Sequence, residues 1–506
     1  MINASPPPRT GPIPTGSGGL DEILCGGYAS NRVHLIEGQP GCGKTTLALQ
    51  FLIDGRKLGE RVLYITLSET KDELYQSAET HGWSLDGIEI FELVPPELSL
   101  DPQQQQSIVY ASDLELGETV RMAMAEVERV QPTRVAFDSL SEIRLLAQSP
   151  LRYRRQVLAL KHFFAKTDCT VLFLDDLTQE TDDTNLHSLA HGVVRLEQVA
   201  LQYGAERRRL RVYKMRGRSF RGGFHDFVIR KGGLDIFPRL VAADHLSSFE
   251  DDGHAGSGIP ALDRLVGGGL DRGTSTLLLG PAGSGKSTMA MQYVLAGLKR
   301  GEKAYFISFD ETERNFRRRA TGLGMDLASY ADNGQFVFQQ VDPAELSPGE
   351  LNGMIRHHVE VVGAKIVVLD SLSGYQNAMP EEHFMLLQMH ELLTYLNQQG
   401  VLTLLVLAQH GLVGQMQSPV DLTYVSDTVI LLRYFEAGGE IRRAISVMKK
   451  RTGKHEASIR EYKIDSGGLR VGEPLSGFRG VLTGVPTFQD GDTLLETRGD
   501  DRTKGP

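Results

Sequence analysis

A lysine, a hydroxyl residue and a set of glycines recur at one fixed spacing in two places along this chain. The first reads Gly38-Gln39-Pro40-Gly41-Cys42-Gly43-Lys44-Thr45, the second Gly280-Pro281-Ala282-Gly283-Ser284-Gly285-Lys286-Ser287. The pattern G-x-x-x-x-G-K-[ST] suits the gripping of a polyphosphate. Glycines let backbone N–H groups curl around phosphate oxygens. The lysine sets a point charge against the outer phosphates, and the hydroxyl ligates Mg2+. The expected ATP contacts are Gly38, Gly41, Cys42, Gly43, Lys44, Thr45 and Thr46 in the first copy. In the second they are Gly280, Gly283, Ser284, Gly285, Lys286, Ser287 and Thr288. Cys42 has two readings, an oxidation-sensitive thiol or a small residue tolerated inside the loop.

Other groups are spaced to serve the same phosphates. A strand-like run ends in Thr66-Leu67-Ser68-Glu69-Thr70, and its counterpart in Ser308-Phe309-Asp310-Glu311-Thr312. Carboxylates there (Glu69; Asp310 and Glu311) can orient the nucleophile that attacks a γ-phosphate. The plainer reading is an acidic residue placed well at a helix start. Asp138 and Asp370 each end an apolar run and precede a serine. That is the Walker B arrangement, a carboxylate that supports Mg2+ together with Thr45 or Ser287; the plainer reading is a helix N-cap. Basic residues follow late in each copy: Lys214, Arg216 and Arg218, then Lys449, Arg451 and His455. Cations of a neighbouring subunit often neutralise charge during phosphoryl transfer. A solvated basic edge strand that discourages sheet aggregation is the alternative.

These groups need a scaffold with strand ends converging on one site. Short apolar runs at 33–36, 62–66, 135–137 and 171–174, and at 275–279, 303–308, 366–369 and 402–407, read as strands buried on both faces. The runs 46–58 and 288–298 read as helices. The alternation implies an α/β fold, a mainly parallel twisted sheet flanked by helices. Antiparallel hairpin material follows at 209–214 with 227–230 and at 444–449 with 458–464. Lys44 and Lys286, Asp21 and Asp263, and Glu69 and Glu311 all share one offset, so whole domains are duplicated. The expected layout is a tail at 1–13, a domain at 14–241, a linker at 242–257, a second domain at 258–485 and a tail at 486–506.

Composition narrows the function classes. With 506 residues, 41% hydrophobic and 23% charged, the chain has ordinary globular character and room for two full cores. A net charge of -10 argues against a constitutive polyanion binder. Three cysteines, Cys25, Cys42 and Cys169, have no metal-like spacing and fit a reducing compartment. No apolar run reaches membrane-spanning length, so the expected location is the cytoplasm, without membrane or nucleic-acid partners. Two other classes share these features. One is a RecA- or RadA-like DNA motor, whose best support is the basic run 207–211, against which stands the lack of an aromatic-plus-basic stripe. The other is a scaffold that binds ATP only to assemble.

The order of these motifs is specific: a Leu-Asp lead-in, a phosphate loop, a Glu-Thr strand end, an Asp-Ser-Leu strand end and a basic hairpin, all occurring twice. Over roughly residues 14–485 it resembles the KaiC family of double-domain RecA-like clock ATPases. The resemblance implies a hexamer of two stacked rings with ATP bound between subunits. Lys214, Arg216, Lys449, Arg451 and His455 would then reach the ATP of an adjacent chain, while Arg218 stands where the family has a hydroxyl residue. The N-terminal ring would be a slow ATPase, and the C-terminal ring would phosphorylate and dephosphorylate its own hydroxyl residues. The phosphorylated pair falls on Thr423 and Tyr424, a phenol standing where the family has Ser or Thr, and an auxiliary hydroxyl falls on Ser418. By position, 102–113 matches the surface for a small KaiB-like partner. Two-component signalling proteins are compatible partners, and the tail differs from the type that meets a KaiA-like activator.

Overall fold

The apolar runs form the middle of two nine-stranded sheets in the computed structural model. It describes residues 11–93, 111–177, 184–200, 204–245, 253–377, 382–409, 422–483 and 487–488. In the first sheet the strands lie in the order Glu89–Glu92, Val62–Thr66, Arg134–Asp138, Thr170–Asp176, Val33–Gly38, Gly192–Val199, Arg207–Met215, Phe224–Arg230, Gly233–Phe237. The first six run parallel and the last three alternate in direction. The second sheet repeats that order with Phe336–Gln340, Lys303–Ser308, Ala364–Asp370, Leu402–Ala408, Ser275–Gly280, Thr428–Ala437, Glu440–Lys450, Arg460–Asp465 and Gly468–Pro474. The mainly parallel sheets with antiparallel extensions are those expected of tandem RecA-like domains.

Alternation along each strand sends neighbouring side chains to opposite faces. Leu35, Leu63 and Phe137 meet Val120, Tyr153 and Val157 on one face of the first sheet. Ile36 and Tyr64 meet Leu47, Phe51 and Leu52 of the helix Lys44–Lys57 on the other. The second sheet does the same, with Leu277 and Tyr305 on one face and Leu278 and Phe306 on the other. Fully burying one such side chain stabilises the fold by about 1.5–3 kcal/mol. Both covered faces hold the central strand still, and the phosphate loop hangs from its C-terminal end.

The chain divides between Arg239 and Leu240. Part of the expected linker 242–257 is therefore packed structure. Ala242 lies in the second unit's core, and its N–H donates to Glu391 at 3.1 Å. His254–Ala255 pairs with Leu270–Asp271. The expected tails are shorter too: Ile13 is buried and exchanges two 2.8 Å backbone bonds with Tyr28, and Thr487–Phe488 pairs with Phe478–Arg479. Among the described residues no helix is long and apolar enough to cross a membrane.

Candidate functional site

Each phosphate loop joins a central strand to the helix that follows it. Gly43 and Gly285 occupy the N-cap positions with φ of 104° and 97°, where only glycine sits without strain. A β-carbon would also lie 2.8 Å from Ile229 Cδ1 at Gly43 and 2.3 Å from Ile464 Cδ1 at Gly285. Lys44 Nζ donates to the carbonyls of Gly38 and Gln39 at 2.9 Å and lies 2.6 Å from Asp176. Lys286 Nζ donates to Gly280 at 2.9 Å and Pro281 at 2.8 Å. Burial pushes Lys286 down to about 8, with Asp370 opposing the shift. These ammonium groups sit inside the loops where phosphate oxygens would complete them. Cys42 is buried and its thiol is pushed up by burial, which favours the small-residue reading over the oxidation-sensitive one.

Behind each lysine stands a hydroxyl–carboxylate pair. Thr45 Oγ1 donates to Asp138 Oδ2 at 3.1 Å, and Tyr64 Oη donates to the same oxygen at 2.5 Å. In the second unit Ser287 stands in the place of Thr45 and holds the Asp370 carboxyl down against the effect of burial. Both aspartates end strands, and the helix after Asp138 is entered through Ser139, so the N-cap reading of Asp138 is set aside. Burial raises Asp138 and pushes Asp370 up to about 6. Among the described residues no cluster of three His, Cys, Asp or Glu could cage a metal. One hydroxyl and one carboxylate per pocket suit Mg2+, a hard ion that keeps waters and takes its other ligands from phosphates.

The glutamates do not cap the helices after them. Thr70 and Thr312 do, accepting from the N–H groups of Glu73 and Asn315. Burial first, and then the nearby Asp138, push Glu69 up to about 7. A carboxylate poised there is a base near neutral pH. As a general base it would work deprotonated, so kcat/KM of the first pocket is expected to rise as pH increases through about 7. ATPase assays of the Lys286→Ala chain across pH check this, and a profile flat between pH 6 and 8 would contradict it. Glu311 is differently placed: both of its oxygens accept from Arg319, at 3.2 and 2.5 Å. Asp310 accepts from the Ser371 hydroxyl at 2.5 Å.

The late cations do not join their own loops. Gly38 is registered on Leu196 and Leu196 on Leu210, while Lys214 and Arg216 follow four and six residues later, away from the loop. That places them about 13–20 Å back along the sheet. In the second unit Leu279 is registered on Leu431 and Leu431 on Ser446, with Lys449 and Arg451 displaced the same way. Their strands are interior to the sheets, so the edge-strand reading is corrected. Lys214 donates to Ala190 O at 2.9 Å, Arg216 to Ser188 O at 2.7 Å, and Lys449 to Thr423 O at 2.7 Å and Ser426 O at 2.8 Å. Arg451 donates to Tyr424 O, and His455 Nδ1 lies 3.1 Å from Glu456 O. Arg218 folds onto the carbonyls of Cys25 and Gly27, at 2.9 and 3.2 Å. Tyr424 is exposed. Ser418 and residues 102–110 lie outside the described residues.

Three site groups escaped the sequence reading: Tyr64, Asp176 and Arg319. One further expectation is corrected, since the first unit does bring arginines and aromatic rings onto one face. The Arg209 guanidinium lies 4.0 Å from the Phe224 ring, and that of Arg211 lies 5.0 Å from the Tyr213 ring. Alternation of 209, 211 and 213 along a strand was the available signal. Arg209 also pairs with Glu197 at 2.8 Å, which neutralises part of that face.

A glycine loop at the end of a central parallel strand, a lysine within it and a hydroxyl–carboxylate pair behind it define a RecA-like P-loop nucleotide-binding domain, here in two copies. A family model described as "ATPase: KaiC" matches residues 13–241 and 255–476, and the chain belongs to that family. Relatives include the circadian clock protein KaiC3 of Synechocystis sp., 26% identical over 487 residues that make up 94% of each chain. The circadian clock oscillator protein KaiC of Picosynechococcus sp. is also 26% identical, over 93% of this chain and 91% of its own.

Proposed function

We propose that this protein is a cytoplasmic, ATP-hydrolysing signalling protein that works as a homohexameric double ring. Each nucleotide lies between subunits: one chain supplies the phosphate loop, and the next supplies Lys214 and Arg216, or Lys449, Arg451 and His455. The observation that carries this reading is the sheet register, which sets Lys214, Arg216, Lys449 and Arg451 at the far end from their own loop. A cation aimed away from its own pocket serves phosphoryl transfer only from next door.

In the first pocket the oxygen of a water bonds to the γ-phosphorus as the bond to the bridging oxygen breaks. Glu69 takes the water's proton, and Lys44 and the loop N–H groups hold the charge that develops. Mg2+, when bound, would be held by Thr45 with Asp138 and by Ser287 with Asp370 and would supply further charge neutralisation. In the second pocket the Thr423 oxygen bonds to the γ-phosphorus as the bond to the bridging oxygen breaks, Asp310 takes the hydroxyl proton and ADP leaves; water later takes the phosphoryl group off as inorganic phosphate. Lys449 donating to the Thr423 carbonyl ties that acceptor to the cation strand. Circadian or stress signalling through a KaiB-like protein or two-component proteins fits the family. After incubation with ATP, mass spectrometry is expected to find phosphate on Thr423. Its absence through a time course would remove the autokinase reading.

A further inference from the structure

The two pockets share one plan, and one difference between them is what faces the strand-end glutamate. In the second unit Arg319 lies two helical turns beyond Glu311, on the helix Glu313–Gly322. Its Nε donates to Glu311 Oε1 at 3.2 Å and a terminal nitrogen to Oε2 at 2.5 Å. The other terminal nitrogen reaches Thr288 Oγ1 at 3.5 Å, beside the phosphate-loop residue Ser287. The guanidinium thus bridges the glutamate and the phosphate-loop helix. In the first unit the same repeat offset puts Ser77 in place of Arg319, with Thr46 matching Thr288. Among the described residues no arginine pairs with Glu69.

Resting on the reading that both pockets hold ATP, we propose that Arg319 is a positioning residue that keeps Glu311 from activating water, so that the second pocket retains ATP instead of hydrolysing it. A bidentate arginine engages both carboxylate oxygens in one fixed plane. A general base must bring a lone pair within hydrogen-bond reach of the proton it abstracts, and the fork takes one lone pair of each Glu311 oxygen and fixes the plane in which the others point. Ser77 is too short to form such a fork, and Glu69 keeps its oxygens available to water. One position therefore assigns the two pockets different fates for bound ATP.

The test measures the second pocket alone, in the full chain carrying Lys44→Ala. Adding Arg319→Ser is expected to raise kcat for ATP hydrolysis by about 10-fold or more, with KM changed by less than about 3-fold. Arg319→Lys keeps the charge but not the fork and is expected to raise kcat as well, to a level between the parent and Arg319→Ser. The reciprocal Ser77→Arg, in the Lys286→Ala chain, is expected to lower kcat. An unchanged or lowered kcat in Arg319→Ser, with a fluorescent ATP analogue still bound, would overturn the role of Arg319 alone. Failure of the parent Lys44→Ala chain to bind that analogue would instead overturn the two-pocket reading and this inference with it.

Discussion

The Lys44→Ala, Lys286→Ala chain is expected to lose ATP turnover by about 10³-fold or more. Removing a single donor aimed at developing charge in a water-excluded site costs about 10²–10³ in kcat, and here each pocket loses a full positive charge. The side chains of these lysines are spent on loop carbonyls, together with Asp176 in the first pocket. Their truncation leaves the apolar cores untouched, so circular dichroism and the unfolding midpoint should be close to those of the parent. The single variants should separate the pockets. Lys44→Ala is expected to remove the steady hydrolysis proposed for Glu69, and Lys286→Ala to remove the phosphate proposed for Thr423. Turnover surviving in the double variant would mean that the loops are not where ATP reacts.

The second large effect is expected from Arg216→Ala combined with Arg451→Ala. A cation supplied from a neighbouring subunit is worth about 10³–10⁵ in phosphoryl transfer. Nucleotide should still bind the loops, because neither arginine lies at its own chain's pocket. Turnover should fall while Lys44 and Lys286 remain in place. In the described conformation both arginines donate to carbonyls of their own chain, Ser188 and Tyr424. These bonds hold the strand ends, so the loss of a contact in cis is distinguished by thermal unfolding. A small shift in midpoint with a large loss of turnover is the expected combination. A large shift with proportionate loss of both binding and turnover would point to a structural role.

The parts of the site that the sequence made legible are those encoded by local spacing. Glycines at fixed steps from a lysine specify a loop, because positive φ and close backbone approach leave few substitutes. Short apolar runs bounded by polar residues marked the central strands to within a residue or two, since burial on both faces leaves little room for polar side chains. What was not legible depends on register and on contacts far apart in sequence. Nothing local says that Lys214 ends up away from Gly38, because that follows from how Gly192–Val199 is registered between two other strands. Arg319 reads as one of several arginines on a polar helix until the helix is docked and the guanidinium is seen on Glu311. Ile13 looks like part of a tail because its pairing with Tyr28 is invisible without the fold. Ala242 likewise looks like linker until Glu391 is brought beside it.

Catalysis by pockets shared between chains requires two chains per site, and mixing two inactive variants tests this most directly. One chain carries Lys44→Ala and Lys286→Ala and keeps its late cations. The other carries Arg216→Ala and Arg451→Ala and keeps its loops. Each alone is expected to be nearly silent in ATP turnover. After co-assembly, loops of the second chain meet cations of the first, and turnover should recover to a fraction set by the mixing ratio. Turnover that stays at the level of the separate variants at every ratio, with mixed assemblies verified by native mass spectrometry, would contradict the account.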